Sequence, residues 1–417
     1  MRIKIAYITL GCKLNYAETS TYERELSKAG FEAVPWSKGA DVFVVNTCTV
    51  TEHSDKKSRN IIRKLHRQNP HARIFVTGCS AQLRRADYEA IEGVVRVFGA
   101  TEKSLVVPYI IQNTSGTDCC GHDISTFFPA YSSGERTRSF LKVQDGCDYK
   151  CHYCTVPYAR GESRNIPIAD IIPQAEAIAA EGIKEIVLTG VNTGDFGKST
   201  GETFFELIKQ LNDVEGIERY RISSIEPNLL TEEMIDWIVT GTKFLPHYHI
   251  PLQSGCDTIL KEMGRRYDTA AFAHKIQYIR EKTEVPGGPK VFFGIDVIVG
   301  FPGETDELFM ETYNFLKDVV KPAFIHIFPY SRRAGTPAAE RKDQVQDSVK
   351  TQRVQMLEEL SAVLHQEFLE ANKGVAEKVL FESTDKNGMM EGYTGNYIRI
   401  SRPYDPEQIG KIVDIVI

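Results

Sequence analysis

The sequence predicts an α/β protein with an N-terminal doubly wound parallel sheet, a central (β/α)6 partial barrel and a small C-terminal all-β domain. Strand and helix signals alternate from residue 1 to 115 and again from 137 to 345, which is the arrangement of parallel sheets covered by helices. Residues 373–417 instead carry short strand signals separated by turn dipeptides. We therefore expect a linker at 116–136 and a connecting helix at 346–372.

Size and composition are those of a globular protein with two or three domains. The chain has 417 residues, of which 42% are hydrophobic and 25% are charged, and such values are ordinary for globular domains. No apolar run approaches the length of a membrane span, and the beginning of the chain reads as a buried strand rather than a signal peptide. We therefore expect a cytoplasmic monomer without a membrane anchor. In a reducing compartment, nine cysteines favour metal or catalytic roles over disulfides.

Predicted strands of the N-terminal domain lead directly into cysteines. The strand signals are Ile3–Leu10, Asp41–Asn46 and Ala72–Thr77, with helical stretches near Ala17–Ala29 and Glu52–Gln68. Cys12, Cys48 and Cys79 follow these strands, and the carboxyl ends of parallel strands meet at one edge of a sheet, where ligands bind. We therefore favour a second metal cluster held by these cysteines. The alternative is a set of small buried residues at strand ends.

The predicted helix Glu52–Gln68 carries an unusual excess of positive charge. After the opening Glu52 its only acid is Asp55, whereas the bases largely off the apolar stripe include Lys56, Arg59, Arg63 and Arg67. The net charge of −6 argues against bulk attraction to nucleic acid, but a local basic patch is enough to dock a phosphate backbone. We therefore expect these bases to contact nucleic acid, and a solvated charged face is the alternative.

The segment Cys147–Cys154 holds cysteines with the spacing C-x3-C-x2-C. The preceding residues, Ser139–Asp145, alternate apolar and polar side chains, which predicts a strand and places the cysteines on the loop after it. The thiolates of Cys147, Cys151 and Cys154 can hold three irons of a [4Fe–4S] cube and leave the fourth iron open to a chelating ligand. Zinc or incidental cysteines are the alternatives, but structural zinc prefers four ligands in separated pairs.

The segment 137–345 continues to alternate strand and helix signals, as a partial barrel requires. Further strand signals lie at Glu185–Thr189, Tyr220–Ser224, Tyr248–Leu252, Val291–Val299 and Phe324–Phe328. In α/β barrels the chemistry lies on the loops after the strands, and here those loops carry glycines, amides and a carboxylate. They suit a polar ligand, although ordinary turn chemistry is the alternative. The later helix Ser348–Ala371 has an apolar stripe that indicates packing.

These motifs resemble the radical S-adenosylmethionine (SAM) superfamily, whose signature is C-x3-C-x-aromatic-C, with Tyr153 in the aromatic position. The blocks Leu10–Asn15, Asn46–Val50 and Thr77–Cys79 are similar to the cysteine blocks of the methylthiotransferase family. The resemblance implies that the open iron at the Cys147–Cys154 loop binds SAM and drives its cleavage to a 5′-deoxyadenosyl radical. It also implies a sulfur-handling auxiliary [4Fe–4S] cluster, the second of two, at Cys12, Cys48 and Cys79.

The same resemblance assigns roles to other parts of the chain. The candidate SAM contacts are Gly190, Asn192, Glu226 and Gln253. The block His247–Gly255 is similar to a family block, and we interpret the following Cys256 as a substitution rather than a ligand. The C-terminal segment 373–417 resembles the small RNA-binding β-barrel called TRAM, with a structural cap as the alternative.

The implied reaction is insertion of a methylthio group at an unactivated C–H carbon, with SAM as methyl donor and radical source. The pair Lys13-Leu14 and the block Ser331–Ala338 are similar to the branch that modifies C2 of N6-threonylcarbamoyladenosine at tRNA position 37. Alternatives are N6-isopentenyladenosine at that position and an aspartate of a ribosomal protein. The expected partners are tRNA, a reducing electron donor protein and a sulfur source. A non-enzymatic iron–sulfur binding or sensing protein is the alternative from another class.

Overall fold

The N-terminal domain is built on a parallel sheet. The computed structural model describes residues 2–115, 127–134, 137–382 and 387–417. The strands of this sheet are β1 (Lys4–Thr9), β2 (Glu32–Ala33), β3 (Val42–Thr47), β4 (Arg73–Gly78) and β5 (Val94–Val97). Their order is β2-β1-β3-β4-β5, and every residue of β3 is buried because helices cover both faces. The doubly wound sheet is confirmed, with β2 and β5 as additional edge strands.

Helices cover this sheet on both sides. They are α1 (Lys13–Lys28), α2 (Glu52–Gln68), α3 (Cys79–Leu83), α4 (Arg85–Glu89) and α5 (Val106–Ser115), with a 3₁₀ turn at Ala100–Leu105. Helix α2 has the predicted bounds, whereas α1 begins earlier than predicted, directly after its N-cap residue Cys12. The partial positive charge at a helix N-terminus favours a nearby anion. The fold therefore places Cys12 at the N-terminus of α1.

The central domain is a parallel barrel that remains open on one side. Its strands are β6 (Arg138–Lys142), β7 (Glu185–Thr189), β8 (Arg219–Ile222), β9 (His247–Gln253), β10 (Phe292–Val299) and β11 (Phe324–Pro329). They form the sheets β6-β7-β8 and β11-β10-β9, which a bridge between Ser224 and His249 joins. In the described part of the chain β6 and β11 do not pair, and α1 packs beside β6. The partial (β/α)6 barrel is confirmed.

Helices surround the barrel strands. They are α6 (Val156–Arg160), α7 (Ile168–Ala180), α8 (Phe204–Asn212), α9 (Glu232–Ile238), α10 (Asp257–Glu262), α11 (Thr269–Thr283), α12 (Asp306–Asn314) and α13 (Pro337–Glu340), with a π-helical turn at Phe315–Val320. Several of them begin after a residue whose side chain accepts a backbone hydrogen bond in the first turn. These caps are Thr203, Thr231, Asp268 and Thr305.

Part of the predicted linker belongs to the barrel. The backbone N–H of Ser132 donates to the carbonyl of Phe140 at 3.0 Å, and that of Lys142 donates to Ala130 at 2.9 Å. Residues 130–132 therefore pair with β6. Other residues of the predicted linker, including Cys119 and Cys120, lie outside the described ranges.

The C-terminal part of the chain is a long helix followed by antiparallel strands. Helix α14 (Asp347–Ala371) packs against β11 and buries its predicted apolar stripe, including Leu357, Leu360 and Leu364. The strands are β12 (Ala376–Phe381), β13 (Met389–Thr394), β14 (Arg399–Pro403) and β15 (Ile412–Val416), in the order β14-β13-β12-β15. The small all-β domain is confirmed. Within the described ranges, no helix has both the length and the apolar character needed to cross a membrane.

Candidate active site between two cysteine sites

The sheet topology brings the N-terminal cysteines together. Residues Thr9 and Asn46 are paired across β1 and β3, and Thr47 and Gly78 are paired across β3 and β4, so the strands end at one level. We call Cys12, Cys48 and Cys79 the auxiliary cysteine site. Burial raises the pKa of the Cys48 thiol to about 11, with further contributions from the other two thiols and an opposing backbone hydrogen bond. The predicted meeting of these cysteines is therefore present in the structure.

Glycines before two of these cysteines allow the backbone to approach Cys48. Gly11 has φ +98° and Gly78 has φ +105°, a left-handed region that side chains disfavour. A Cβ on Gly11 would lie 2.7 Å from Cys48 Sγ, and one on Gly78 would lie 2.3 Å from the carbonyl oxygen of Thr47. Larger residues would therefore push the strand ends apart and open the auxiliary cysteine site.

The second set of cysteines lies on the loop after β6. We call Cys147, Cys151 and Cys154 the barrel cysteine site. Backbone N–H groups donate to two of its sulfurs at 3.4 Å, from Tyr149 to Cys147 and from Val156 to Cys154. Burial raises the pKa of Cys147 to about 11 and that of Cys154 to about 12. Amide donors to sulfur are a means by which proteins tune iron–sulfur clusters, so this loop fits such a group.

The spacing of the sulfurs disfavours a single zinc ion. Among the described residues, only His249, Asp296 and His326 place three possible ligand atoms within 4.8 Å of one another. The sulfurs of neither cysteine site do so, whereas ligands of one zinc ion with Zn–S bonds of about 2.3 Å lie at most about 4.6 Å apart. His152 also faces elsewhere, because its Nδ1 donates to the backbone carbonyl of Glu262 at 2.7 Å. Neither set of sulfurs therefore has the spacing of ligands to one zinc ion.

Each cysteine site has a buried arginine as a neighbour, and no sequence motif pointed to either. Arg160, which is 2% exposed, donates from Nε to Cys79 Sγ at 3.1 Å. Arg265 donates to Cys151 Sγ at 3.3 Å and pairs with Glu226. These guanidinium groups place positive charge beside sulfurs that become anionic when they bind metal.

Arg160 belongs to a buried charge network that joins the N-terminal domain to the barrel. It lies 3.2 Å from a carboxylate oxygen of Glu18 and 2.9 Å from one of Asp145. Lys142 contacts both acids, and Lys103 contacts Glu18 at 2.6 Å. Burial alone would raise the pKa of Glu18, but these three bases hold it well below its usual range. Arg164 also contacts Asp145 at 3.3 Å, so four bases face two acids, and the excess positive charge lies near the auxiliary cysteine site, where Arg160 contacts Cys79.

The predicted SAM contacts lie on the loops after β7 and β8 and at the last residue of β9. Gln144 accepts hydrogen bonds from the backbone of Val191 and Asn192 at 3.0 and 2.9 Å, and Gly190 leaves room for it, since a Cβ there would lie 3.0 Å from the same oxygen. The side chain of Asn192 is buried, and neither its oxygen nor its nitrogen has a partner among the described residues. Such an unsatisfied buried amide indicates a place for a polar ligand.

Glu226 and Gln253 complete this rim beside the barrel cysteine site. Burial raises the pKa of Glu226, although the paired Arg265 opposes the shift. Gln253 adopts φ +68°, a conformation that is uncommon for a residue other than glycine and marks functional sites. The structure therefore brings the predicted residues to one edge of the barrel, and their contact with SAM remains a prediction.

A cavity of about 260 Å³, here the upper cavity, has lining residues from the loops of both cysteine sites. Val50 and Thr51 follow Cys48 closely in the chain, and Cys154 belongs to the barrel cysteine site. The other lining side chains include Tyr153, Gln253, Asp296, Phe328, Tyr330 and Arg333. The aromatic side chains give this space flat apolar surfaces, which suit a heterocyclic base.

Arg333 ties the wall of the upper cavity to α2. Its guanidinium donates to Asp55 Oδ2 at 2.8 Å and also to the hydroxyl of Thr49. Asp55 is 0% exposed and also faces Arg84, whose Nε lies 3.4 Å from the carboxylate. The acid that the sequence places within the basic helix is therefore turned into the protein and does not neutralise its outer face.

The outer face of α2 carries the predicted nucleic-acid contacts. We call Lys56, Arg59, Arg63 and Arg67 the basic helix face. Lys56, Arg63 and Arg67 are exposed, whereas Arg59 is 20% exposed and lies 3.7 Å from Asp87. The apolar stripe of the helix is buried as predicted. Contact of this face with RNA remains a prediction.

Below the upper cavity, the barrel interior becomes polar. His249, Asp296 and His326 lie on the neighbouring strands β9, β10 and β11, and His249 Nε2 donates to Asp296 Oδ1 at 2.7 Å. A second cavity of about 410 Å³, here the lower cavity, is lined by side chains of the N-terminal, barrel and C-terminal domains. They include Cys12, Lys13, Arg138, Arg221, His247 and Tyr397.

Comparison with known proteins identifies the family. The Radical SAM superfamily matches residues 141–316, and an uncharacterized protein family, UPF0004, matches residues 4–99. The threonylcarbamoyladenosine tRNA methylthiotransferase MtaB of Bacillus subtilis is 41% identical over 99% of this chain and 93% of its own length. The MtaB of Aquifex aeolicus is 36% identical over 100% of both chains. A tRNA-2-methylthio-N(6)-dimethylallyladenosine synthase of Carboxydothermus hydrogenoformans is 32% identical over 98% of this chain and 95% of its own.

A solved structure supports the fold. The radical SAM methyltransferase TsrM from Kitasatospora setae superposes with a TM-score of 0.57 at 14% identity, covering 81% of this chain and 77% of that chain. At this identity the likeness concerns the fold alone, and it agrees with the observed barrel. The MtaB relatives match the chain over its whole length and therefore identify its family. The chain belongs to the radical-SAM methylthiotransferase family, and within it to the MtaB type.

Proposed function

We propose that this enzyme inserts a methylthio group at C2 of N6-threonylcarbamoyladenosine at position 37 of tRNA, using SAM and two [4Fe–4S] clusters. The observation that carries the proposal is the upper cavity, which is lined by residues from the loops of both cysteine sites, Val50 and Thr51 on one and Cys154 on the other. The printed names of the MtaB relatives favour this substrate. The dimethylallyladenosine synthase relatives make N6-isopentenyladenosine the second candidate.

The barrel cysteine site would hold the cluster that works with SAM. In this family, cluster and SAM together supply a radical that removes hydrogen from an unactivated carbon, which side chains alone cannot do. The unsatisfied amide of Asn192 and the carboxylate of Glu226 would orient the polar groups of SAM. Arg265 would keep positive charge beside the Cys151 thiolate. The aromatic walls of the upper cavity would hold the base and exclude water.

The auxiliary cysteine site would hold the sulfur that is transferred. It lies in the N-terminal domain, and Cys12 lines the lower cavity, so the site adjoins the barrel interior. The basic helix face lies on α2, which the Asp55–Arg333 pair connects to the upper cavity. It would bind the tRNA backbone, because Lys and Arg supply most phosphate contacts. An electron donor protein and a sulfur source complete the expected partners.

The test separates the tasks of the two sites. After anaerobic reconstitution the wild type should hold about eight irons. The Cys12→Ala, Cys48→Ala, Cys79→Ala variant should hold about four irons and still form 5′-deoxyadenosine from SAM, but should form no methylthio product on tRNA. Chromatography measures the deoxyadenosine, and mass spectrometry of digested tRNA measures the product. The matched control is Cys256→Ala, because Cys256 is buried in an apolar cluster and should not affect iron content.

Two results would contradict the proposal. If the wild type holds only about four irons, the auxiliary cluster is not present. If the triple variant keeps one cluster but cannot cleave SAM, the two sites do not have the separate tasks proposed here. Offering tRNA with N6-isopentenyladenosine in parallel decides the substrate. Conversion of that tRNA alone would favour the second candidate.

A further inference from the structure

The lower cavity has a positively charged lining that the proposed chemistry does not use. Its walls contain Lys13, Arg138 and Arg221, and none of the described residues that line it carries a carboxylate. His247 also lines this cavity and is 9% exposed, and its Nδ1 has no hydrogen-bond partner in the described part of the chain. A buried polar atom without a partner, beside a positively charged cavity, indicates a place for a polar ligand.

The three bases differ in how their charges are balanced. Arg221 donates to Glu185 at 2.8 Å and to two backbone carbonyls at 2.8 and 2.7 Å, and Arg138 donates to Glu382 at 2.6 Å. The ammonium of Lys13 has no carboxylate within ion-pairing distance among the described residues. Burial lowers the pKa of Lys13, and Tyr397 and Asp296 oppose this shift. An anion in the cavity would therefore supply the ionic partner that this buried ammonium lacks.

The shape of the substrate places one group in this cavity. In a purine nucleotide the glycosidic N9 and the exocyclic N6 lie at opposite ends of the ring system. A base that enters the barrel from the RNA side therefore carries its N6 substituent deepest. With the base in the upper cavity, that substituent would extend past Asp296, which lines the upper cavity and is close enough to act electrostatically on Lys13 of the lower one. A threonylcarbamoyl group ends in a carboxylate and a hydroxyl, whereas a dimethylallyl group has no charge.

We propose that Lys13 binds the carboxylate of the amino-acid substituent on the target adenosine and thereby selects an anionic N6 group over an apolar one. This inference rests on the proposed function, since it takes the upper cavity as the site of the base. The selection follows from charge: the ammonium gains an ionic hydrogen bond with the carboxylate, whereas an apolar substituent would leave it without a partner.

The test uses the reconstituted enzyme and two RNA hairpins that differ in one group. One hairpin carries N6-threonylcarbamoyladenosine, and the other carries the same nucleoside with the carboxylate converted to a primary amide. Without reductant, fluorescence anisotropy measures binding. The wild type should bind the carboxylate hairpin about ten- to hundredfold more tightly than the amide hairpin. Lys13→Met should abolish this preference, and Lys13→Arg should restore part of it. Lys28→Met, at the other end of α1, is the matched control and should keep the preference.

The readouts distinguish the two possible failures. Iron content and 5′-deoxyadenosine formation of the Lys13→Met variant should equal those of the wild type. An equal loss of affinity for both hairpins in this variant would overturn the inference, as would an unchanged preference. If the wild type converts the carboxylate hairpin to product but Lys13→Met keeps the preference, the inference fails while the proposed function stands. If the wild type converts neither hairpin, the proposed function itself fails.

Discussion

Replacing Arg333 by Met should weaken the contact between α2 and the barrel, because Arg333 is the buried partner of a buried carboxylate. Arg333 is 6% exposed and Asp55 is 0% exposed, and their atoms lie 2.8 Å apart. Removing one partner of a buried ion pair costs about 3–5 kcal/mol. The Nε of Arg84 stays 3.4 Å from the same carboxylate, so we expect a loss near the lower limit, about 3 kcal/mol.

The assay follows the local opening of α2. A loss of about 3 kcal/mol corresponds to a roughly 140-fold change in an opening equilibrium, and hydrogen–deuterium exchange of the α2 amides measures such openings. Arg332→Met is the matched control, because Arg332 is exposed and donates to the carbonyl of Ala339 at 2.6 Å rather than to Asp55. The double variant Arg333→Met, Asp55→Asn should recover part of the lost protection, since it leaves no unpaired buried charge.

Two outcomes would refute this reasoning. Equal exchange of α2 in the Arg333→Met and Arg332→Met variants would mean that the ion pair does not hold the helix. A double variant that exchanges faster than Arg333→Met alone would mean that Asp55 stabilises the contact through other groups. Either result would also mean that the Asp55–Arg333 pair does not link the basic helix face to the upper cavity.

The remaining predictions concern RNA and the auxiliary cysteine site. Charge reversal at Arg63 and Arg67 should weaken tRNA binding and reduce the slope of log affinity against log salt by about two, because two phosphate contacts are lost; an unchanged slope would indicate a solvated face. Gly11→Ala should reduce iron retention from about eight toward about four irons, because the added Cβ would lie 2.7 Å from Cys48 Sγ, and an iron assay after desalting measures this. Arg160→Met should lower the reduction potential of the auxiliary cluster, because a positive charge and an N–H donor to sulfur are removed. An EPR-monitored redox titration with an unchanged potential would contradict this.

Local patterns were sufficient to predict the parallel sheets and the positions of both cysteine sites. The barrel cysteine site is contained in the segment Cys147–Cys154, so its spacing is visible without any fold. The auxiliary cysteine site follows from topology, because strands that run parallel must end at one edge. The edge strands β2 and β5 were missed because they are short and not fully buried. Family membership also makes the alternative of a non-enzymatic iron–sulfur protein wrong.

The arginines beside the two cysteine sites and the upper cavity could not be predicted from sequence patterns, because their partners are distant in the chain. Arg160 is 81 residues from Cys79, Arg265 is 114 residues from Cys151, and Arg333 is 278 residues from Asp55. No periodicity connects residues at such separations, and only packing of the domains brings them together. The burial of Asp55 was likewise not predicted, because a carboxylate within a basic helix usually faces solvent.

The contact between Arg160 and Cys79 has a consequence for biogenesis. The arginine belongs to the barrel, so the auxiliary cysteine site gains its neighbouring positive charge only after the later domain has been synthesised and has docked. N-terminal domains generally fold first during translation, and this one therefore lacks the contact with Arg160 until the barrel has docked. Under the proposed function, loading of an auxiliary cluster would then be coupled to correct assembly, and a chain truncated before Arg160 should retain less iron at the auxiliary cysteine site.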